Sequence, residues 1–121
     1  MNKILFIEDE STLQRAVSHT LSEEGFQVFS ALDGEAGLKL AKGEKPNLIL
    51  LDLILPKKDG FAVLEELAKD PATAAIPVVI LSNLENSTDV ERALKAGART
   101  YLVKTNYKLV EVIEKIKQHL Q

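Results

Sequence analysis

Five polar side chains stand directly after short apolar runs, and their chemical types suit a divalent cation and a phosphate. They are Glu8 and Asp9 after LFI, Asp52 after LILL, Ser82 after VVIL and Lys104 after YLV. Unit charges about 4 Å apart repel by about 4 kcal/mol at an effective dielectric of about 20, so clustered carboxylates call for a cation. Oxygen ligands with no His or Cys nearby favour Mg²⁺ over zinc.

A carboxylate beside Mg²⁺, a lysine and a hydroxyl has the groups that phosphoryl transfer requires. The positive charges neutralise the phosphoryl oxygens while the carboxylate attacks in line with the leaving group. On this interpretation Asp52 is the nucleophile and forms an acyl phosphate, Lys104 is a fixed charge and Ser82 supplies the hydroxyl. The simpler interpretation stays open at this point, because a single Asp after a strand is commonly a turn residue or a helix cap.

The five apolar runs predict five β-strands. They are Lys3–Ile7, Gln27–Ser30, Leu48–Leu51, Val78–Leu81 and Tyr101–Val103. Three of them are apolar throughout, which is typical of strands buried on both faces of a parallel sheet. If the first and third strands are neighbours, Glu8, Asp9 and Asp52 meet at one edge, because sites in such sheets form beyond the carboxyl ends of the strands.

Amphipathic segments between the runs predict five helices. Ser11 opens a capping pattern before the first helix, which Gly25 ends, and Asp33-Gly34 begins the second, which Gly43 ends. Asp59-Gly60 begins the third helix. Ser87 caps the fourth, which turns Val90, Ala93 and Leu94 inward and ends at Gly97. The apolar face of the fifth is formed by Leu109, Val112, Ile113, Ile116 and Leu120. The order is (βα)×5, which predicts an α/β fold with helices on both faces of the sheet.

The composition limits the classes of protein to consider. The chain has 121 residues, 45% of them hydrophobic and 27% charged, with a net charge of −3 and no cysteine. One domain without disulfides is expected, and direct nucleic-acid binding is not, because no dense basic block is present. No apolar run approaches the length of about 20 residues that spans a membrane, so we expect no membrane insertion and a cytoplasmic location.

Four stretches in order resemble the receiver domain of two-component response regulators, the family of the chemotaxis receiver. They are ILFIEDE, LILLDLILPKKDG, IPVVILS and AGARTYLVK, and the resemblance covers essentially the whole chain. It implies a flavodoxin-like, doubly wound parallel sheet in the order 2-1-3-4-5. Residues 1–121 would form a single receiver domain with no output domain among them, either as a stand-alone protein or as part of a longer one.

The resemblance also implies a role for each site residue. Asp52 matches the phosphoacceptor. Glu8 and Asp9 match the acidic pair that holds Mg²⁺ together with Asp52 and the backbone carbonyl of Ile54. Ser82 matches the switch hydroxyl, Lys104 the phosphoryl charge partner and Tyr101 the switch aromatic. Such a domain is a signalling phosphoacceptor and not an enzyme. It receives its phosphoryl group from a histidine kinase or a phosphotransfer protein. The surface of helix four, strand five and helix five then signals to a downstream protein or output domain.

This sequence differs from the usual family pattern at several positions. Thr105 stands where proline usually follows the lysine in a cis peptide, so the Lys104–Thr105 bond is either trans with a re-routed loop or strained. Asn83 replaces a small residue after the switch hydroxyl, and Arg99-Thr100 replaces two acidic residues used for dimerisation by transcription factors. Ile54 and Leu84 cannot orient a water, which predicts slow loss of the phosphoryl group.

Three other functions can be weighed against this interpretation. A haloacid-dehalogenase-type phosphatase requires a second Asp two residues after Asp52, where Ile54 stands. A flavodoxin-like cofactor binder requires a Ser-, Thr- or Gly-rich loop after the first strand, where the chain is acidic. A receiver-like module that works without phosphorylation stays the alternative, because of Asn83 and Thr105.

Overall fold

Five β-strands alternate with five α-helices in the computed structural model, which describes residues 2–120. The strands are β1 (Lys3–Ile7), β2 (Gln27–Ala31), β3 (Leu48–Leu51), β4 (Val78–Ser82) and β5 (Thr100–Val103). The helices are α1 (Ser11–Glu23), α2 (Gly34–Glu44), α3 (Gly60–Lys69), α4 (Ser87–Lys95) and α5 (Leu109–His119), and a 3₁₀ turn over Lys104–Asn106 joins β5 to α5. Over this range no helix is both long and apolar enough to span a bilayer.

The strands form one parallel sheet in the order β2-β1-β3-β4-β5, as the sequence resemblance implied. β3 and β4 are buried at every residue, and β1 is buried after its first. This follows from their unbroken apolar sequences, because strands covered by helices on both faces have no solvent side. The outer strands β2 and β5 are only partly buried.

The sheet divides the hydrophobic core into two layers. Alternate residues of β1 point to opposite faces, so Leu5 and Ile7 pack in one layer and Ile4 and Phe6 in the other. The first layer is completed by side chains of α2, α3 and α4, and the second by side chains of α1 and α5. Both layers leave the strand ends free to hold polar groups.

Two Asp side chains begin helices as the sequence predicted. Asp33 Oδ1 accepts a hydrogen bond from Ala36 N at 2.9 Å, and Asp59 Oδ1 accepts from Phe61 N at 2.9 Å. Such caps satisfy backbone donors that the first helical turn leaves free. Gly25 and Gly97 follow α1 and α4 with φ of 95° and 119°, the left-handed backbone that favours glycine at a helix end.

The other predicted helix boundaries were wrong by one or two residues. Asn86 caps α4, because its Oδ1 accepts from Asp89 N at 2.9 Å, while Ser87 is already helical. Ser11 likewise lies inside α1, whose N-cap Glu10 forms no side-chain capping bond. α2 continues through Gly43, and Lys45, with φ of 47°, makes the turn that ends it. One inward prediction also failed, since Leu94 is 45% exposed.

Candidate functional site

The carboxyl ends of four adjacent strands bring the predicted polar side chains together. Glu8 and Asp9 follow β1, Asp52 follows β3, Ser82 ends β4 and Lys104 follows β5. Carboxylate oxygens of Glu8, Asp9 and Asp52 lie within 4.8 Å of one another. Among the described residues, these three form the one such group of potential metal ligands, here called the acidic trio. The strand order therefore converts a pattern along the chain into a cluster in space.

The Asp52 side chain is buried and is held by two hydrogen bonds. Its Oδ1 accepts from Ile54 N at 3.2 Å and its Oδ2 accepts from Lys104 Nζ at 2.9 Å, while the residue is 3% exposed. The backbone of Gly60 packs directly against the backbone of Leu53, so that an added Cβ at Gly60 would lie 2.3 Å from the Leu53 Cα. A larger residue at Gly60 would push the backbone that carries Asp52, so the turn requires glycine.

Lys104, which follows the outer strand β5, contacts both buried carboxylates. Its Nζ lies 2.7 Å from Glu8 Oε1, 2.9 Å from Asp52 Oδ2 and 4.0 Å from Glu10 Oε1. Burial alone lowers the pKa of Lys104, but its contacts with Glu8 and Asp52 outweigh burial and raise the pKa above its usual value. The ammonium therefore stays charged at neutral pH.

The structure answers the question that Thr105 raised about this lysine. No peptide bond within residues 2–120 is cis, so the Lys104–Thr105 bond is trans. The 3₁₀ turn over Lys104–Asn106 re-routes the chain into α5. Lys104 still lies at the acidic trio, because its position is set by the end of β5 and not by the loop that follows.

Glu8 is a buried carboxylate whose hydrogen bonds are incomplete. Its Oε2 accepts from Glu10 N at 3.1 Å, whereas its Oε1 has the ion pair with Lys104 at 2.7 Å and no further hydrogen bond. Burial raises the pKa of Glu8 to about 7, the contact with Lys104 opposes that rise, and the charge of Asp52 adds to it. A buried carboxylate oxygen with no partner besides Lys104, in a group of three oxygen-ligand residues, fits a small hard cation such as Mg²⁺.

Ser82 and Tyr101 meet at the backbone of a single residue, Leu84. Ser82 is fully buried, and its Oγ accepts from Leu84 N at 3.4 Å. The Tyr101 hydroxyl donates to the Leu84 carbonyl at 2.6 Å. Burial raises the pKa of Tyr101, and the nearby charge of Asp89 raises it further. The loop after β4 is therefore connected to both predicted switch residues.

The apolar residues flanking Asp52 lie on the open side of the site. The Ile54 side chain is 53% exposed, Leu84 is partly buried against the first core layer, and Asn83 is exposed. Their side chains offer no carboxylate or hydroxyl beside Asp52.

Sequence reasoning missed one buried polar residue near the site. Gln14 in α1 is 8% exposed, and its side chain contacts the ends of β1 and β2. A signal was present, because Gln14 lies three residues before Val17 and seven before Leu21, on the buried stripe of the same helix. A polar residue on such a stripe indicates a buried hydrogen-bonding requirement.

Comparisons with known proteins agree with this geometry. Residues 4–117 match the family described as the response regulator receiver domain. Protein PilH of Pseudomonas aeruginosa is 38% identical over 104 residues, which cover 86% of this chain and 86% of PilH. The probable transcriptional regulator ycf27 of Porphyridium aerugineum is 42% identical over 102 residues, and this chain spans only 41% of its length while 84% of this chain is matched.

A solved structure adds a metal to the comparison. The receiver domain of the sensor histidine kinase PA1611 from Pseudomonas aeruginosa has a TM-score of 0.88 and 26% identity with this chain. The match covers 98% of this chain and 97% of that one. That structure has a magnesium ion coordinated in its active-site cleft.

Proposed function

Because the chain belongs to the response regulator receiver family, we propose that it accepts a phosphoryl group on Asp52 from a histidine kinase or a phosphotransfer protein. The observation that carries this proposal is the meeting of Asp52 with a charged lysine and two further carboxylates. Lys104 Nζ is 2.9 Å from Asp52 Oδ2, and carboxylate oxygens of the acidic trio lie within 4.8 Å of one another. The arrangement places a nucleophile, a fixed positive charge and a set of cation ligands at one point.

Mg²⁺ would be held by the acidic trio and by the backbone carbonyl of Ile54. When bound, it supplies positive charge that neutralises the phosphoryl oxygens. The chain's own contribution is a buried and oriented set of carboxylates, because Glu8 is fixed by Glu10 N and Asp52 by Ile54 N. The buried Oε1 of Glu8 supports this assignment, since it has no hydrogen bond besides its ion pair with Lys104 and can serve as a cation ligand.

Asp52 acts as the nucleophile in the proposed transfer. A carboxylate oxygen of Asp52 bonds to phosphorus while the bond from phosphorus to the donor's imidazole nitrogen breaks, and its electron pair stays with that nitrogen. Lys104 faces the developing charge, and its raised pKa keeps it protonated throughout. The near-complete burial of Asp52 limits the access of water to the acyl phosphate.

Ser82 and Tyr101 form the proposed switch. A phosphoryl group on Asp52 offers acceptor oxygens to the Ser82 hydroxyl, which now accepts from Leu84 N. Movement of Ser82 would release that amide and displace the carbonyl that Tyr101 holds. The change would then reach the surface formed by α4, β5 and α5, which we assign to the downstream protein or output domain.

The proposed partners follow from this assignment. The chain works as a signalling phosphoacceptor in the cytoplasm and promotes only its own phosphorylation and slow dephosphorylation. The ycf27 relative is named a transcriptional regulator, so a DNA-binding output domain is one downstream partner for this receiver. No direct contact of these residues with nucleic acid is proposed, given the net charge of −3.

Incubation with acetyl phosphate and Mg²⁺, followed by intact mass, tests the proposal. We expect a mass gain of one phosphoryl group that is lost in Asp52→Asn and without Mg²⁺. Glu10→Gln is the matched control, because Glu10 is a neighbouring carboxylate outside the acidic trio. No gain in the wild type would contradict the proposal and favour the module that works without phosphorylation.

A further inference from the structure

The buried amide of Gln14 lies outside the acidic trio but is tied to the backbone that carries two of its members. We propose that Gln14 is a positioning residue that holds the Glu8–Glu10 segment, here called the acidic loop, in the geometry that binds Mg²⁺. This inference rests on the proposed function, because it concerns the same cation site. It assigns a role to a residue of α1 that neither binds the ion nor contacts Asp52.

The Gln14 side chain uses both of its amide hydrogens on strand-end carbonyls. Nε2 donates to the Glu8 carbonyl at 3.1 Å and to the Ala31 carbonyl at 3.0 Å. Carbonyl oxygens only accept hydrogen bonds, so the nitrogen must face them and the orientation of the amide is fixed. The Ala31 carbonyl also accepts from Glu8 N at 2.9 Å. One side chain therefore joins the end of β1 to the end of β2.

Within residues 2–120, the other restraints on the acidic loop come from the loop itself, from β2 and from Lys104, and none of them uses a side chain of α1. The N-cap residue Glu10 makes no side-chain capping bond, and the first turn of α1 carries no acidic residue. The backbone bond from Gln14 N to the Glu10 carbonyl, at 3.0 Å, belongs to the helix itself. The side chain of Gln14 thus adds a link from the first turns of α1 to the ends of β1 and β2.

The position of the Glu8 carbonyl controls where the metal-binding side chains begin. Glu8 and Asp9 are consecutive, so a shift of the peptide between them moves both carboxylates relative to Asp52. Ion binding depends on residues that orient the ligands, and losing such an orienting partner typically weakens metal affinity by about 10–100-fold. Gln14 is buried at 8% exposure, so water cannot readily replace its two bonds.

The test compares Mg²⁺ affinity, and not phosphorylation, between two variants of α1. Gln14→Met keeps the length of the side chain and removes both donors. Val17→Ala is the matched control, because Val17 is buried in the same helix and its loss affects packing but not the acidic loop. Calorimetric titration with Mg²⁺ is done below the unfolding temperature of each protein, so that every sample is folded.

We expect Gln14→Met to weaken Mg²⁺ binding roughly 10-fold and Val17→Ala to leave it unchanged. Gln14→Asn provides a second variant if Gln14→Met does not fold, because it retains a buried amide that is too short to span both carbonyls. It should also weaken binding. Both variants of Gln14 should keep the five-stranded fold, as judged by circular dichroism.

Three results would overturn the inference in different ways. Equal Mg²⁺ affinity in the wild type and the Gln14 variants, with the wild type binding the ion, removes the positioning role and leaves the phosphoacceptor proposal intact. Equal weakening in Val17→Ala would show that general loosening of α1, and not the amide, controls affinity. Failure of the wild type to bind Mg²⁺ would overturn both the positioning role and the proposed cation site.

Discussion

A lysine–carboxylate pair lies at each end of the strands. The pair is buried at the carboxyl edge, where the strands end, and exposed at the amino edge, where they begin. At the carboxyl edge, Lys104 contacts Glu8 at 2.7 Å with side chains that are 13% and 0% exposed. At the amino edge, Lys3 lies 3.7 Å from Glu44 with side chains that are 37% and 41% exposed. An exposed pair adds little stability because water and salt screen it, whereas a buried pair must be matched to avoid an isolated charge. The carboxyl edge is therefore the end of the sheet that holds buried, paired charge.

The largest expected effect is the loss of the Lys104 charge. Lys104→Met keeps most of the side-chain length but leaves Glu8 and Asp52 without their shared cation. We expect a loss of roughly 2–3 kcal/mol in the free energy of unfolding of the metal-free protein, near the lower end for broken buried pairs because Glu8 can take up a proton. Urea denaturation measures it. A loss below about 1 kcal/mol, as expected for an exposed pair, would contradict the larger contribution assigned to the buried pair.

The next effect is a pH dependence that Glu8 gives to the metal-free protein. Its pKa rises from 4.5 to about 7 on folding, so the folded chain binds this proton more tightly than the unfolded chain. The stabilisation is complete below about pH 4.5 and is lost as the pH rises through about 7. Stability should fall between pH 5 and pH 8 in the wild type, and fall less in Glu8→Gln.

Thermal unfolding across that pH range, without divalent cations, checks the Glu8 prediction. Glu44→Gln at the amino edge is the matched control and should follow the wild-type curve. Identical curves for the wild type and Glu8→Gln would contradict it. Because the same carboxylate is a proposed ligand, the stabilisation given by added Mg²⁺ should grow with pH over the same interval.

A smaller effect is expected where the carboxyl edge opens to solvent. Ile54→Asn places a group that can orient water beside Asp52, so the phosphoryl lifetime should shorten by a few fold, or about 1 kcal/mol in the barrier. The decay of the phosphorylated mass after removal of acetyl phosphate measures this. Leu32→Asn is the control, because Leu32 follows β2 and is 52% exposed but lies outside the acidic trio. Equal lifetimes in the wild type and Ile54→Asn would refute the prediction.

The smallest effect is expected at the amino edge. Lys3→Met removes an exposed pair with Glu44 and should change the free energy of unfolding by less than about 1 kcal/mol. That change should diminish further in high salt, since screening already weakens the pair. Urea denaturation at two salt concentrations measures both. A loss equal to that of Lys104→Met would show that burial does not separate the two pairs.

The sequence predicted the strands from local apolar runs, whereas the strand order that brings the cluster together was implied by the family resemblance. Glu8 and Asp52 follow the neighbouring strands β1 and β3, and Lys104 follows β5, which lies one strand beyond β4 and reaches the same end of the sheet through its long side chain. Their proposed chemical roles are a separate matter and stay predictions. The cap of α4 was placed one residue late because Asn86 and Ser87 are both good N-cap residues, and only the backbone angles of the folded chain distinguish them.

Other features required information that the chain does not carry locally. The route of the Lys104–Thr105 peptide depends on where β5 ends relative to α5, which is a property of the packed fold. Gln14 was missed for a similar reason, because its two partners are carbonyls in β1 and β2 that come within reach only after the strands pair. Leu94 was assigned inward by helical spacing, but the short α4 buries only Ala93.

The sheet also works as a partition between the two core layers. Tyr101 and Leu84 pack with the α2–α4 layer, whereas Val17 and Ile113 lie in the α1–α5 layer on the opposite face. A rearrangement of the loop after β4 can therefore repack one layer while the other keeps its contacts. Of the proposed output surface, α4 would then respond within its own layer, whereas α5 packs in the opposite layer and follows β5 through the turn over Lys104–Asn106.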